Sequence, residues 1–410
     1  MLIPSIDLYD GQAVQWKQGV EPVIARDDVF ELFDEFSLYG EVAIIDLNAA
    51  TGKGNNRELI TQLLARGRAR VGGGIRDLET AQFYLKAGAS KLILGTACQE
   101  PFVDKLPKEA LIFSIDAKGD QWTTHGWQSE SSEKVADLIK PFAERCSEFL
   151  YTQVEKEGMM SGLDRERIEQ VIKLSPVPVT VAGGITDLDD IEYLAHMEAN
   201  MQIGMAIYTG AIKLEDCFIR CLDFEKAPLI PTIVQDYYSG DVLMLAYSNE
   251  ESLRYAFQQR TGTYYSRSRQ ELWEKGKTSG NTQELVSVDF DCDGDTLLFR
   301  VKQKNSMACH LNRWSCFPRS ESGFTLANLD QILEQRQNSN DEASYTRKLF
   351  DSEALQIEKL REECEELIEA QSLPDVRWEA ADLLFFTLVH ARAKGVSLQA
   401  IVNELRSRHK

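Results

Sequence analysis

Three aspartates spaced two residues apart, Asp291, Asp293 and Asp295, stand in the segment VDFDCDGDTLLF, a pattern that predicts a strand entering a turn. Because alternate residues of an extended chain share a face, the three carboxylates can converge on a hard divalent cation. A solvated acidic turn is the alternative. A calcium-binding loop between two helices is excluded, because it requires Gly at the position of Thr296 and Glu at the position of Lys302.

Three cysteines of the same region offer ligands for a second metal. Cys292 alternates with the aspartates and faces the other side of the extended segment. Cys309, which precedes His310, and Cys316 follow within MACHLNRWSCF. Three protein ligands with an open position are the arrangement of a catalytic zinc, which lowers the pKa of its bound water to about 7. Three buried structural cysteines are the alternative, and the neighbouring acidic triplet favours zinc.

A second set of carboxylates follows helical spacing near the C-terminus. Glu363 and Glu366 are three residues apart and share a helix face, as do Glu379 and Asp382 on the next predicted helix. Charged helix faces are usually only solvated, but the stretch LLFF directly after Asp382 argues against a wholly polar face. A magnesium ion held between the two pairs and a solvated face are both open interpretations.

Eight short aliphatic runs, separated by amphipathic helical patterns, organise the first 225 residues. This alternation is typical of a closed (β/α)8 TIM barrel, with an open doubly wound sheet as the alternative. Glycine-rich run ends favour the barrel, because barrels often bind phosphate at such strand ends. The runs are LIPSI, VAIID, ARVGGG, KLILG, LIFSI, EFLYT, PVTVAGG and NMQIG, and the glycines at four of their ends are Gly72, Gly73, Gly74, Gly95, Gly183, Gly184 and Gly204.

Two carboxylates stand where barrel enzymes place catalytic groups. Asp7 ends the first run and Asp116 ends the fifth, so both are predicted at the carboxyl ends of strands. Two such groups can supply the acid and the base that move a proton on a bound substrate. A strand-end aspartate is more often a helix cap, but the pair together with glycine turns on both halves of the barrel favours a catalytic role.

The composition limits what the whole chain can be. At about 100–200 residues per domain, its 410 residues should form two to four domains. Its 45 Lys and Arg against 65 Asp and Glu leave a formal charge of −20, which argues against nucleic acid as a partner. No run approaches the ~18 apolar residues of a membrane span and no export signal begins the chain, so we expect a cytoplasmic protein without a membrane partner.

Two changes of pattern divide the chain into three predicted domains. Residues 1–225 hold the barrel, and the segment EKAP that follows Phe224 marks its end. Short strands with turn signals then predict a small β-rich α+β domain over 229–320. Strand signals vanish from about Leu326, so residues 326–410 are predicted to be all-α.

The middle region resembles phosphoribosyl-AMP cyclohydrolase over about 229–317. The similarity rests on YYSRSRQELWEKGKTSGNTQ, on the DCDGD run and on the paired ACH and SCF segments. It implies magnesium bound by the three aspartates, proton transfer by His310, and zinc bound by Cys292, Cys309 and Cys316, with Cys292 contributed by the partner subunit of a homodimer. One departure is Lys277, where the family usually has Glu.

The C-terminal region, from about 326 to 409, resembles phosphoribosyl-ATP pyrophosphatase. SYTRKLF, EECEE and WEAADLLFF carry the similarity to this all-α, MazG-like group, whose ExxE and ExxD motifs form a carboxylate cage. The resemblance implies a magnesium site formed by Glu362, Glu363, Glu366, Glu379 and Asp382.

The N-terminal 225 residues resemble the barrel isomerase that converts ProFAR to its aminoketose form. The segments IPSIDLYDGQAV, VGGGIRD, SIDAKGD, HGWQ, AGGITD and IGMA occur in that order. The resemblance implies catalysis by Asp7 and Asp116, stacking of the substrate on Trp127, and substrate or phosphate binding by Gly73, Gly74, Gly95, Thr96, Thr152, Gly183, Gly184 and Gly204. The departures from the family are Gln15, Gln153, Glu157, Met159 and Met205.

Together these resemblances predict a fused histidine-biosynthesis enzyme that acts on small phosphoribosyl nucleotides with Zn2+ and Mg2+. It would hydrolyse phosphoribosyl-ATP, open the adenine ring of phosphoribosyl-AMP and isomerise the product. Two alternatives stay open from the residues alone. The barrel could be a silent scaffold, and the helical domain could be a general nucleotide-cleaning hydrolase, since a carboxylate cage does not by itself recognise the ribosyl group.

Overall fold

The computed structural model describes residues 1–17, 21–124, 129–311, 313–317, 325–339 and 344–408. The chain forms two compact units. The larger unit consists of Met1–Tyr237, Val242–Phe317 and Ser407–Lys410, and the smaller unit of Tyr238–Asp241 and Pro318–Arg406. Nearly all of the first two predicted domains therefore lies in the larger unit, and the predicted all-α region forms nearly all of the smaller one.

The strands and helices alternate through the first 225 residues. The strands are β1 (Leu2–Tyr9), β2 (Gln12–Lys17), β3 (Glu21–Arg26), β4 (Val42–Asp46), β5 (Ala69–Gly72), β6 (Leu92–Leu94), β7 (Leu111–Lys118), β8 (Gln121–Thr124), β9 (Ser129–Lys134), β10 (Glu148–Gln153), β11 (Val179–Ala182) and β12 (Asn200–Ile203). The helices are α1 (Val29–Phe36), α2 (Leu47–Thr51), α3 (Arg57–Leu64), α4 (Leu78–Ala87), α5 (Val135–Ala143), α6 (Arg165–Leu174), α7 (Leu188–His196), α8 (Met205–Tyr208) and α9 (Leu214–Arg220).

Eight of these strands close into a parallel barrel, which confirms the predicted fold. The order is β1, β4, β5, β6, β7, β10, β11 and β12, and β12 pairs with β1 to close the ring. Each of the eight aliphatic runs contributes one strand. Their side chains are almost entirely buried because they face either the barrel interior or the surrounding helices.

A buried ion-pair network lies among the barrel strands. Arg70 of β5 is 1% exposed and pairs at 2.5 Å with both Glu41 and Glu148. Glu148 also pairs with Lys91 at 2.7 Å. The positive charges lower the pKa of Glu41 and Glu148 against the opposing effect of burial. The network thus keeps two buried carboxylates ionised inside the fold.

The β-rich domain continues the larger unit. Its elements are β13 (Ile230–Asp236), β14 (Val242–Ser248), α10 (Glu250–Gln259), β15 (Thr263–Ser266), β16 (Glu271–Glu274), β17 (Gln283–Phe290) and β18 (Leu297–Gln303). Four strands form a sheet in the order β14, β13, β18 and β17, while β15 and β16 form a separate hairpin. The predicted mixture of short strands and turns is present.

The barrel and the β-rich domain share one hydrophobic core. The ring of Phe257 on α10 lies 4.8 Å from that of Tyr39 and 5.3 Å from that of Phe218 on α9, measured between centroids. Arg254, also on α10, pairs with Asp216 of α9 at 2.6 Å. Apolar contact and ion pairing together fix the β-rich domain against the barrel.

The smaller unit is helical, as predicted. Its helices are α11 (Leu326–Gln337), α12 (Tyr345–Asp351), α13 (Glu353–Glu369), α14 (Leu373–Ala393) and α15 (Leu398–Arg408). Leu333, Leu349, Phe386, Leu388 and Val389 form its small buried core. Across the described ranges of the whole chain, we find no helix long and apolar enough to cross a membrane.

Candidate active sites

A cavity of about 740 Å3 lies at the carboxyl ends of the barrel strands, where barrel enzymes place their active sites. Asp7 and Asp116 both line it. The predicted substrate and phosphate residues Gly73, Gly74, Gly95, Thr96, Thr152, Gly183, Gly184 and Gly204 line it as well. Trp127 lies outside the described residues. The barrel therefore brings together all of its predicted site residues that the structure describes.

Glycine is required at the paired turns of the cavity. Gly73 has a φ of +91°, and a Cβ there would lie 2.3 Å from the backbone oxygen of Asp46. Gly183 has a φ of +80°, and its Cβ would lie 2.8 Å from Oε2 of Glu157. Both turns thus bring the backbone close to neighbouring atoms, so that backbone N–H groups can bind an anion at the strand ends, beside the cationic side chains of Arg76 and Lys156 that also line the cavity.

The two aspartates that face the cavity, Asp7 and Asp116, differ in their surroundings from an aspartate that caps a helix. Asp46, at the end of β4, accepts a hydrogen bond from the backbone N–H of Ala49 and caps α2. Asp7 instead faces the cavity, where burial and then the nearby Glu157 raise its pKa to about 7. Asp116 also faces the cavity and accepts a hydrogen bond at 2.8 Å from the hydroxyl of Ser114. These positions suit an acid and a base in one site.

Glu157 adds a third carboxyl that the sequence marked only as a departure from the family. It lines the cavity, and burial followed by the charge of Asp116 raises its pKa to about 7. Near neutral pH, Asp7 and Glu157 therefore both exchange protons readily. The sequence did offer one signal for Glu157: it lies in the loop after β10, close to the strand end that carries Thr152, where barrel enzymes place functional residues.

Other departures occupy different places. Gln153 does not line the cavity; its side chain bonds both the backbone N–H and the carbonyl of Asp164, at 3.1 and 3.0 Å, and so closes the base of the intervening loop. Gln15 is buried beside Gly204, and its Nε2 has no hydrogen-bond partner among the described residues. Met205 lines the cavity next to that glycine. The Gly204 turn thus has uncharged neighbours where the family usually has Arg.

The aspartate triplet converges as its spacing predicts. Carboxylate oxygens of Asp291, Asp293 and Asp295 all lie within 4.8 Å of one another. One Asp291 oxygen accepts the backbone N–H groups of Asp295 and Thr296, both at 3.0 Å, and so holds the turn between β17 and β18. The hard oxygen ligands fit a magnesium ion. Lys226 pairs with Asp295 and lowers the pKa of that carboxyl.

Two of the three predicted zinc ligands lie together. Burial and the neighbouring Cys309 thiol raise the pKa of Cys316, and the ammonium of Lys275 opposes this rise. Cys292 is exposed and belongs to no set of three metal-ligating side chains in the described part of one chain. His310 is exposed beside Cys309. Two soft thiol ligands fit part of a zinc site.

The helical unit brings its carboxylates together across two helices. Ligand oxygens of Glu363 and Glu366 on α13 and of Glu379 on α14 lie within 4.8 Å of one another. Burial, then Asp382 and Glu366, raise the pKa of Glu363, so Asp382 belongs to the same concentration of negative charge. Such a cluster fits a magnesium ion. Glu362 is outside the group of three and pairs with Lys359 at 2.6 Å.

Three known families match consecutive parts of the chain. Residues 1–213, just over half of the 410-residue chain, match the family described as histidine biosynthesis protein. The chain belongs to this histidine biosynthesis family. Residues 244–318 match phosphoribosyl-AMP cyclohydrolase, and residues 326–409 match phosphoribosyl-ATP pyrophosphohydrolase. The three resemblances drawn from sequence motifs are thereby confirmed, in the same order along the chain.

Individual relatives cover different parts of the chain. A histidine biosynthesis trifunctional protein of Saccharomyces cerevisiae is 45% identical over 181 residues, which are 44% of this chain and 22% of the relative. The histidine biosynthesis trifunctional protein of Neurospora crassa is 45% identical over 245 residues, which are 60% of this chain and 26% of the relative. A histidine biosynthesis bifunctional protein of Caldanaerobacter subterraneus is 41% identical over 202 residues, 47% of this chain and 98% of the relative. The chain thus spans about a quarter of the trifunctional relatives and nearly all of the bifunctional one.

Proposed function

We propose that the chain catalyses consecutive steps of histidine biosynthesis, removing pyrophosphate from phosphoribosyl-ATP and then opening the adenine ring of phosphoribosyl-AMP. The observation that carries this proposal is the convergence of metal-ligating side chains in both hydrolase-like regions, as acidic clusters in each and a thiol pair in the first. The bifunctional relatives, by name, act in the same pathway. Small phosphoribosyl nucleotides are the proposed substrates, and the cytoplasm is the proposed location.

The β-rich domain would carry out ring opening. Cys309 and Cys316 would hold zinc, which supplies an acidified water for attack on the ring carbon beside N1. Asp291, Asp293 and Asp295 would hold magnesium, which would help to bind the phosphorylated substrate. His310, which is exposed beside Cys309, would carry protons between this site and solvent.

A second copy of the chain would complete the zinc site. In the described part of one chain, Cys309 and Cys316 lie together without a third metal-ligating side chain, and a catalytic zinc requires three protein ligands. The exposed thiol of Cys292 is available to a partner's pair, which supports a homodimer. Zinc added to the metal-free chain should therefore promote dimers in sedimentation experiments, and Cys292→Ser should abolish that dependence. Dimerisation that ignores both zinc and Cys292 would contradict a shared site.

The helical unit would hydrolyse phosphoribosyl-ATP. Glu363, Glu366, Glu379 and Asp382 would hold magnesium, whose role is to neutralise phosphate charge and orient water. A carboxylate cage alone does not read the ribosyl group, so the competing function is general hydrolysis of nucleoside triphosphates. A kcat/KM for phosphoribosyl-ATP well above that for ATP would decide for the biosynthetic role, and equal values would decide for the general one.

The barrel would isomerise the product, with Asp7 and Asp116 as acid and base on opposite parts of one cavity. Asp7→Asn and Asp116→Asn should each reduce isomerisation by about 10²–10⁴, because neither amide exchanges a proton near neutral pH. The opposing function is a structural scaffold. It is favoured by the uncharged Gly204 turn, where Gln15 and Met205 replace arginines that would bind phosphate.

Assays of the purified chain separate these functions. Phosphoribosyl-ATP, phosphoribosyl-AMP and ProFAR are supplied one at a time, with Zn2+ and Mg2+ present. The isomerase proposal requires wild-type turnover of ProFAR that Asp7→Asn removes while both hydrolytic activities persist. Wild type that consumes no ProFAR but performs both hydrolyses would establish the scaffold function instead. Failure of both hydrolyses would overturn the proposed function as a whole.

A further inference from the structure

The turn that carries the aspartate triplet is attached to the end of the barrel. The backbone N–H of Asp223, just after α9, donates to the carbonyl oxygen of Gly294 at 3.1 Å. Gly294 has a φ of +69°, and a Cβ there would lie 2.5 Å from the carbonyl oxygen of Cys221. The turn is therefore packed against barrel backbone so closely that only glycine fits between Asp293 and Asp295.

The segment that joins the two domains places a cation directly on this triplet. Lys226 is held by its own backbone N–H, which donates to the Asp223 carboxylate at 2.8 Å. Its Nζ lies 2.5 Å from Oδ2 of Asp295 and 3.8 Å from Oδ2 of Asp293. Two of the three oxygen ligands are thus within reach of an ammonium that the barrel end supplies.

From this geometry we infer that Lys226 is a tethered competitor of the divalent cation, occupying the carboxylates of Asp295 and Asp293 whenever the metal is absent. The inference rests on the magnesium role proposed above for the triplet. A cation bound by the three aspartates must share or displace this ammonium, since like charges at the same oxygens repel. The exposed, flexible Lys226 side chain can swing into solvent, whereas the packed turn cannot retreat.

The competitor should weaken metal binding by a modest factor. Exposed ion pairs of this kind typically shift an equilibrium by roughly two- to fivefold. Removing the ammonium should therefore lower the dissociation constant of the triplet for a divalent cation by about two- to fivefold. The difference should shrink with added salt, because exposed charges are screened.

Binding of Mn2+ to the full-length chain, followed by the electron paramagnetic resonance of the free ion, tests this directly. All variants carry Glu366→Gln to weaken the helical-unit site, and the binding component lost in Asp293→Asn is assigned to the triplet. Lys226→Met and Lys226→Gln should both tighten that component two- to fivefold, while Lys226→Arg should keep it near the wild-type value. Lys302→Met is the matched control, because Lys302 pairs with Glu284 in the same domain and lies on β18, away from the triplet turn.

The possible outcomes distinguish a failure of the Lys226 competition from a failure of the cation site at the aspartate triplet. Unchanged or weaker Mn2+ binding in Lys226→Met and Lys226→Gln would overturn the competition and leave the proposed cyclohydrolase function standing. An equal gain in Lys302→Met would attribute the effect to net charge and would also overturn it. If Asp293→Asn removes no binding component, the triplet is not a cation site, and both this inference and the proposed magnesium role fail.

Discussion

Replacing Asp7 by asparagine should make the larger unit more stable at alkaline pH while removing the proposed catalytic acid. Burial raises the pKa of Asp7 from its ordinary value of 3.8 to about 7, with the charge of Glu157 as a further cause. In the unfolded chain the carboxyl ionises near pH 4, whereas in the fold it keeps its proton until near pH 7. Wild-type stability therefore falls across this interval as pH rises, because the unfolded state has already lost the proton that the fold retains.

The shift sets the size of the effect. Each pH unit within the interval contributes about 1.4 kcal/mol, so about two units between pH 5 and pH 7 give up to about 3 kcal/mol. Water in the cavity screens part of the charge, which places the expected difference at about 1–3 kcal/mol. Asp7→Asn should therefore exceed the wild-type free energy of unfolding by about 1–3 kcal/mol more at pH 8 than at pH 5.

Urea unfolding of the larger unit at pH 5 and pH 8 measures the difference. Asp137→Asn, at an exposed position on α5, is the matched control and should show no such change between the two pH values. An Asp7→Asn gain of the same size at both pH values would refute the reasoning, as would a loss confined to pH 8. Either result would mean that the Asp7 carboxyl ionises freely in the fold and is not held neutral by its surroundings.

Three further changes test the other sites and the core. Cys309→Ser should abolish ring opening and release zinc, measured by metal analysis, while Cys364→Ser, at an exposed thiol on α13, should change neither; full activity without zinc would contradict the site. Glu366→Gln should block pyrophosphate release but leave ring opening of supplied phosphoribosyl-AMP intact, and joint loss of both would argue against separate sites. Arg70→Ala should destabilise the larger unit by about 3–5 kcal/mol in urea unfolding, since it leaves two buried carboxylates unpaired, and a change below about 1 kcal/mol would show that they are protonated or hydrated.

Periodicity was sufficient to predict the barrel because its constraints are local and repeated. Each aliphatic run had to be buried on both faces, and the eight runs from Leu2 to Ile203 became the eight strands. The hairpin extensions β2, β3, β8 and β9 escaped prediction; the sequence of β9, SESSEK, for example, has no alternation of apolar and polar residues. Their pairing depends on neighbours already placed by the barrel.

Clusters of side chains were predictable where their members are close in sequence. Asp291, Asp293 and Asp295 converge because their spacing dictates it. Glu157 and Lys226 escaped functional assignment, since their significance depends on which distant groups the fold brings near them. For Glu157 the distant group is Asp7. For Lys226 it is Asp295 in the triplet turn, which lies 69 residues further along the chain.

The two faces of the barrel explain why catalysis and scaffolding do not exclude each other. Asp7 lines the cavity at the carboxyl end of β1, whereas the opposite end meets the β-rich domain, where a Cβ at Gly40, just before β4, would lie 3.1 Å from Asp289. Residues at the amino ends of the barrel strands usually stabilise the fold, whereas residues at the carboxyl ends usually carry out the chemistry. The uncharged groups at the Gly204 turn lie on the cavity face, at the end opposite the β-rich domain. The aromatic contact of Phe218 with Phe257 would support the neighbouring domain whether or not the cavity turns over substrate.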